Sequence, residues 1–406
     1  MNQENLKLWE VQSAIPPKPT DSDYGYFESG VLHPCSREEL IDRVRKLNLS
    51  ELSVPQVLVW TPETSEIVAP QEVPYLFEAL KARMLKSASD NLRGSVIIAA
   101  IFLFVLVLIL ATQELTKPIV IVVAAFLFLP AVLLLFYGLS SRRNLKDTTP
   151  ESIRPIDYKY AAWLNSYKLT WTRDIAVCIL AVGLLQIFAD GGIESSGLVK
   201  AKVRNGQYWR LLTCGFLHGN FWHFFLNFNA LIALGRMVEV FLHRSHLAIV
   251  FLLSVISGSI CSVVLIPNKT SIGASGGLLG LVGLLVIAGW KRKSVLPENF
   301  LSKISVGIVV TALIGLVGFL FIDNAAHLGG LVCGLVLGLI FLWNGDNSFP
   351  LRPNKIINAL GWVSMSIIFL GAVIAALQMY KDRLGTGLVY GLAAGVISFG
   401  FTRLKY

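Results

Sequence analysis

Two short runs in this chain carry residues able to make and break acyl bonds. Gly273-Ala274-Ser275-Gly276-Gly277 opens a hydrophobic helix, and His327 lies inside a second apolar stretch downstream. A neutral imidazole at membrane depth must find a hydrogen-bond partner or stay desolvated at a large cost. On neighbouring spans the pair makes poor packing but a good nucleophile and general base. Ser275 falls at a helix start, where backbone N–H groups lack intrahelical partners and can face a developing anion. Gly276 and Gly280, then Gly330, Gly334 and Gly338, give small-residue faces. Such faces let two helices approach closer than the usual ~8–10 Å. A serine could then reach a histidine across the interface within about 3 Å.

A third constellation is Phe216-Leu-His218-Gly-Asn-Phe-Trp-His223-Phe-Phe-Leu-Asn227. His223 and Asn227 are four apart and project from one helical face, with His218 near the helix mouth. Any one of them alone reads as polar glue between helices. Together on one stripe, an imidazole and an amide are donors suited to an oxyanion.

Competing chemistries find less support. The zinc-protease run His-Glu-x-x-His is absent. An aspartyl mechanism or a proton relay needs carboxylates inside the spans, which read as free of them, Asp190 and Asp323 sitting at their ends. Cys35, Cys178, Cys214, Cys261 and Cys333 show no CxxC spacing, so no disulfide framework, metal site or cofactor is expected.

The elements that must position these residues are membrane spans. Hydrophobic residues make up 54% of the chain and charged residues 15%, and mean hydropathy is +0.63, far from a soluble composition. Ten apolar runs begin near Ser95, Ile119, Ile175, Phe216, Leu247, Leu278, Ile304, Ala326, Ile356 and Gly387, most approaching the ~20 residues that cross a bilayer core. The net charge of +9 follows from the positive-inside rule rather than from a nucleic-acid partner. Arg142, Arg143 and Lys146, then Lys291, Arg292 and Lys293, then Arg352 and Lys355, then Arg403 and Lys405 fall on one side if the N-terminus is cytosolic. One loop opposes this count: Lys200, Lys202, Arg204 and Arg210 lie on the expected outer side. The opening MNQENLKLWEVQ has no basic flank followed by an apolar stretch, so neither a cleavable signal peptide nor a mitochondrial presequence is expected there.

Residues 1–94 read as a small soluble α+β domain. Ser36 and Glu39 form a capping box, Val57–Trp60 a short strand that Ile67-Val68 pairs with, and Pro74 starts an amphipathic helix carrying Leu76, Phe77, Leu80, Met84 and Leu85. A transmembrane hairpin (95–138), a cytosolic connector (139–171), a six-helix core (172–343) and a hinge with two closing spans (344–406) complete the expected organisation.

Across residues 172–343 the chain resembles the rhomboid family of intramembrane serine proteases. The motifs are Trp209-Arg210, His218-x4-His223-x3-Asn227, Gly273-x-Ser275-Gly276 and Ala326-His327-x-x-Gly330. The resemblance implies an all-α polytopic membrane protein with a six-helix core. Ser275 would be the nucleophile and His327 the base. His223 and Asn227 would stabilise the oxyanion, Gly273 and His218 would shape the cavity, and Trp209 and Arg210 would anchor a membrane-dipping loop. Substrates would be single-span membrane proteins cut near the outer leaflet, without metal or cofactor. Some relatives place an aromatic ring four residues after the nucleophile, where this chain has Leu279. The expectation is therefore a multi-pass serine endopeptidase of the plasma membrane, with transmembrane substrates, the lipid bilayer and a partner for the N-terminal domain as its contacts. An inactive rhomboid-like client-binding protein is the alternative, although that class usually lacks the serine or histidine. A transporter with an incidental Ser/His pair is disfavoured.

Overall fold

The computed structural model describes residues 15–28, 30–47, 57–112, 168–189, 191–292, 300–317, 322–343 and 353–402, with isolated residues at 132–150, 296 and 351. They fall into two compact units, the first within residues 1–168 and the second built mainly from residues 169–293 and 321–406.

In the first unit, β1 (Gly25–Glu28) and β2 (Val31–Pro34) form a hairpin, and β3 (Leu58–Trp60) adds to the other edge of β1. Both pairings are antiparallel, with Phe27 opposite Leu32 on one side and Leu58 on the other. The hairpin is a finding the sequence reading lacked. Its turn is marked by Gly30 at φ 85°, and Gly25 and Phe27 alternate inward along β1. The expected capping box opens α1 (Arg37–Arg45): Ser36 Oγ accepts the Glu39 N–H at 3.2 Å and the Glu39 carboxylate accepts the Ser36 N–H at 2.8 Å. Val59 and Val68 pair back as a bridge. Phe27, Leu40, Val44, Leu58, Trp60, Leu76 and Leu80 form the core of this unit.

Where the sequence suggests an amphipathic helix and then a separate span from Ser95, the structure draws one helix, α2 (Pro74–Thr112, 39 residues). Ser87 to Gly94 hold neither a proline nor a turn signal strong enough to break it. The span expected from Ile119 and its Gln113–Pro118 connection lie outside the described residues.

The second unit comprises α3 (Trp171–Ile187), the short helices α4 (Gly192–Ser196), α5 (Lys200–Arg204) and α6 (Arg210–Thr213), and the long helices α7 (Phe221–Phe241), α8 (Arg244–Leu265), α9 (Ser275–Lys291), the part of α10 (Phe300–Val317) up to Thr311, α11 (Asn324–Phe341) and α12 (Lys355–Thr402). Among the described residues four helices are long and apolar enough to cross a membrane: α7, α8, α11 and the Lys355–Lys381 part of α12. The apolar α9 is shorter, at 17 residues. The chain is an integral membrane protein.

Two sequence expectations change here. The two closing spans form one continuous helix, since Lys381-Asp382-Arg383 are residues that a helix accommodates and no proline interrupts them. That helix packs against the rest of this unit, and the expected hinge at 344–355 lies largely outside the described residues. Asn358 accepts from Ser245 Oγ at 3.0 Å, Trp362 meets Trp171 edge-on at 4.8 Å, Ser196 Oγ donates to the Ala375 carbonyl at 2.9 Å, and Tyr380 donates to the Leu185 carbonyl at 2.7 Å. Nor are the spans free of carboxylates. Glu239 lies buried near the end of α7 and caps the start of α3, accepting the backbone N–H groups of Thr170 at 2.9 Å and Thr172 at 2.6 Å. A carboxylate there complements the positive end of the helix dipole, and both threonine hydroxyls also donate to it.

Candidate active site

Ser275 is the first residue of α9, and His327 lies in the first turn of α11. Their side chains meet, Ser275 Oγ and His327 Nε2 standing 2.8 Å apart. Glycines permit it. A β-carbon on Gly330 would land on the Gly276 carbonyl oxygen, and one on Gly334 would land on that of Gly280. The two helices therefore touch backbone to backbone, as the small-residue spacing requires.

Gly273, just ahead of the nucleophile, is another position that only glycine fits. Its φ is +125°, which side-chain-bearing residues rarely adopt. A β-carbon there would sit 2.8 Å from both Cε1 and Nε2 of His223 and 3.7 Å from Ser275 Oγ. The His223 imidazole and the Ser275 hydroxyl thus flank the same bare backbone. The Gly273 N–H is tied to the Cys214 carbonyl at 2.9 Å.

Asn220 starts α7 by accepting the His223 N–H at 2.9 Å, an N-cap that fixes the helix entry. The Gly219 N–H approaches His223 Nδ1 at 3.5 Å. Nε2 and Cε1 are the ring atoms turned toward Gly273. Asn227 Nδ2 donates one hydrogen to the His223 carbonyl at 2.8 Å and retains a second. His218 is buried, edge-on to His223 at 5.1 Å and to Phe224 at 5.4 Å. Its backbone is clamped by Gln186 on α3, which accepts the His218 N–H at 3.0 Å and donates to its carbonyl at 2.7 Å. Gln186 is a residue that sequence reasoning missed, because a glutamine near the end of an apolar helix carries no motif.

The loop ahead of α7 uses its cations internally. Arg210 is 3% exposed and donates to the carbonyls of Gly197 at 2.6 Å and Glu194 at 3.2 Å and to Gln207 Oε1 at 2.7 Å, its guanidinium lying over the Trp209 ring at 4.5 Å. Lys202 pairs with Glu194 at 3.6 Å, and Arg204 reaches the Pro267 carbonyl at 3.3 Å. Lys200 is buried beside Asp323, at 3.7 Å. Burial pushes the Lys200 ammonium below the ordinary lysine range, and the Asp323 carboxylate partly restores it. Burial alone would raise the Asp323 carboxyl, but hydrogen bonds from Ser262, Ser271 and the Ala326 N–H, together with Lys200, hold it below its usual value. The cations of this loop thus have structural partners within the fold.

Of the expected residues, His327, Gly273 and His223 adjoin Ser275, His218 packs on His223, Asn227 lies one turn along α7 from His223, and the Trp209–Arg210 pair braces the adjoining loop. Leu279 stands where some relatives carry an aromatic ring. His327 is held by its place at the start of α11 and by the glycine contact behind it.

Comparison with known proteins bears on the same stretch of the chain. Residues 205–344 match the rhomboid domain. The chain is similar to RHOMBOID-like protein 4 of Arabidopsis thaliana, at 26% identity over 234 residues (55% of this chain and 58% of that protein). To the rhomboid protease GluP of Bacillus subtilis it is 34% identical over 186 residues (43% of this chain, 35% of that protein). To the inactive RHOMBOID-like protein 8 of Arabidopsis thaliana it is 33% identical over 134 residues (33% and 38%). The chain spans about half the length of the curated relatives it matches. Domain match and relatives thus agree on one point: residues 205–344 of this chain carry a rhomboid domain.

Proposed function

We propose that this chain is an intramembrane serine endopeptidase acting on transmembrane protein substrates. One observation carries the proposal: a serine and a histidine on neighbouring membrane helices meet at 2.8 Å, beside an imidazole and an amide able to donate. Ser275 Oγ attacks the scissile carbonyl carbon as its proton passes to His327 Nε2. The negative charge that develops on the carbonyl oxygen is met by His223 Nε2–H, the second Asn227 amide hydrogen and the N–H groups at the start of α9. The C–N bond then breaks and the imidazolium returns its proton to the leaving amine. Water, deprotonated by the same imidazole, hydrolyses the acyl ester and frees Ser275. No metal or cofactor is needed for these steps.

The site would open toward the outside of the plasma membrane, with the N-terminal domain in the cytosol to recruit a partner. The similarity to GluP, named a protease, favours an active enzyme. The similarity to a relative named inactive keeps client binding without hydrolysis as the rival, and the presence of both Ser275 and His327 argues against it. Reaction of the purified chain with a serine-directed fluorophosphonate, mapped by mass spectrometry, decides between them. Modification at Ser275 alone is expected. No adduct on folded protein would leave only the binding role.

A further inference from the structure

We propose that Lys200 is a positioning residue for Ser275 and His327, acting through Asp323 and Ser271; this rests on the assignment of those two as nucleophile and base. Asp323 gathers four separate parts of the chain. Its Oδ1 accepts the Ala326 N–H at 3.0 Å, capping α11 one residue before His327. Its Oδ2 accepts the hydroxyls of Ser262, from α8, and of Ser271, from the segment leading to the nucleophile. Lys200 completes the cluster. Its ammonium lies 3.7 Å from Oδ2 and donates to Ser271 Oγ and to the Lys269 carbonyl. The Lys200 side chain is 1% exposed and that of Asp323 12%.

The spacing gives this cluster its leverage. Ser271 precedes Ser275 by four residues and Asp323 precedes His327 by four, so both reacting side chains lie close to one ion pair. Between Ser271 and Ser275 the backbone passes through Gly273 in a non-helical conformation, and no helix of its own fixes that stretch. Its path is set by the tie of Gly273 to Cys214, by the Leu198–Ser271 bridge (2.9 and 3.4 Å) and by the Ser271 hydroxyl on Asp323. Lys200 stands two residues beyond Leu198 and neutralises the carboxylate that both sides share. An uncompensated carboxylate in this setting would draw in water or shift its partners. A displacement of about 1 Å at a reacting atom can cost on the order of 10²-fold in rate.

The test measures the fluorophosphonate reaction rate at Ser275, and kcat and KM for a cleaved membrane substrate, on the full chain in lipid vesicles. Lys200→Met is expected to slow labelling and kcat by about tenfold or more with KM near wild type, and Lys200→Arg is expected to recover most of the loss. Lys200→Met combined with Asp323→Asn should be no slower than the worse single variant, because the pair acts as one unit. Should Lys200→Met not fold, Ser271→Ala, which breaks the tie without burying a charge, must show the same loss of kcat at unchanged KM. Wild-type rates in folded Lys200→Met or Ser271→Ala, or single losses that simply multiply in the double variant, overturn the proposal. Wild-type protein that never reacts with the probe would instead overturn the assignment of Ser275.

Discussion

At the scale of single residues, the site divides into groups whose loss ends the chemistry and groups whose loss slows it. Ser275→Ala and His327→Ala are each expected to abolish peptide cleavage without unfolding the protein, and the double variant should be no worse, since nucleophile and base act together. Cleavage that survives Ser275→Ala, or that a chelator blocks, would remove the serine mechanism. His223→Ala and Asn227→Ala should retain activity reduced about 10²–10³-fold, because the N–H groups at the start of α9 still face the oxyanion. Steady-state kinetics separate the two classes. Wild-type rates in the second pair would mark them as helix contacts only. His223 is the more sensitive position of the two, since its ring packs directly on Gly273, whereas Asn227 already spends one hydrogen on its own helix.

At the scale of elements, catalytic distance is a property of two helix faces. A side chain at Gly330 meets the backbone of α9, which cannot rotate away as a flexible side chain could. Gly330→Ala should therefore separate Ser275 from His327, destabilise the fold by about 1–3 kcal/mol and suppress fluorophosphonate labelling; unfolding temperature and labelling rate together check this. The cap of α11 adds a pH dependence. Asp323 has a depressed folded-state value, so its contribution is fully present above the unfolded carboxylate range, about pH 4, and is lost as pH falls through the lower folded value. The unfolding temperature of the wild type should fall on acidification through that window, and Asp323→Asn should flatten the response. An acid profile unchanged by the substitution would show that other carboxylates govern it.

At the scale of the whole molecule, α9 carries the site at one end and Lys291 at the other, and 17 residues of helix span about 25 Å. On the proposed topology Ser275 lies toward the outer face and Lys291 toward the cytosol. In a background lacking the five native cysteines, a cysteine introduced beside Trp209 should react with an impermeant reagent from outside, and one beside Lys291 should not. The reverse pattern would open the site to the cytosol. The N-terminal unit has its own core, to which the first turns of α2 contribute Leu76, Leu80 and Met84. Deleting residues 1–94 should leave Ser275 labelling intact and generic cleavage within a few-fold, the lost function being recruitment. Truncated protein that is folded yet unlabelled would show that this unit helps assemble the site.

The sequence by itself determined the parts whose signals are local. Small-residue spacing foretold the face between α9 and α11, and the serine–glutamate box foretold α1. Each signal spans a few residues of one element, so periodicity and residue type suffice to read it. Tertiary structure alone decided that Lys200 meets Asp323, that Glu239 caps α3, that Gln186 clamps His218 and that α12 packs into the core. These are polar groups joined across tens to hundreds of residues. Which buried charge finds which partner depends on where several helices end in space, and no spacing along one segment encodes that.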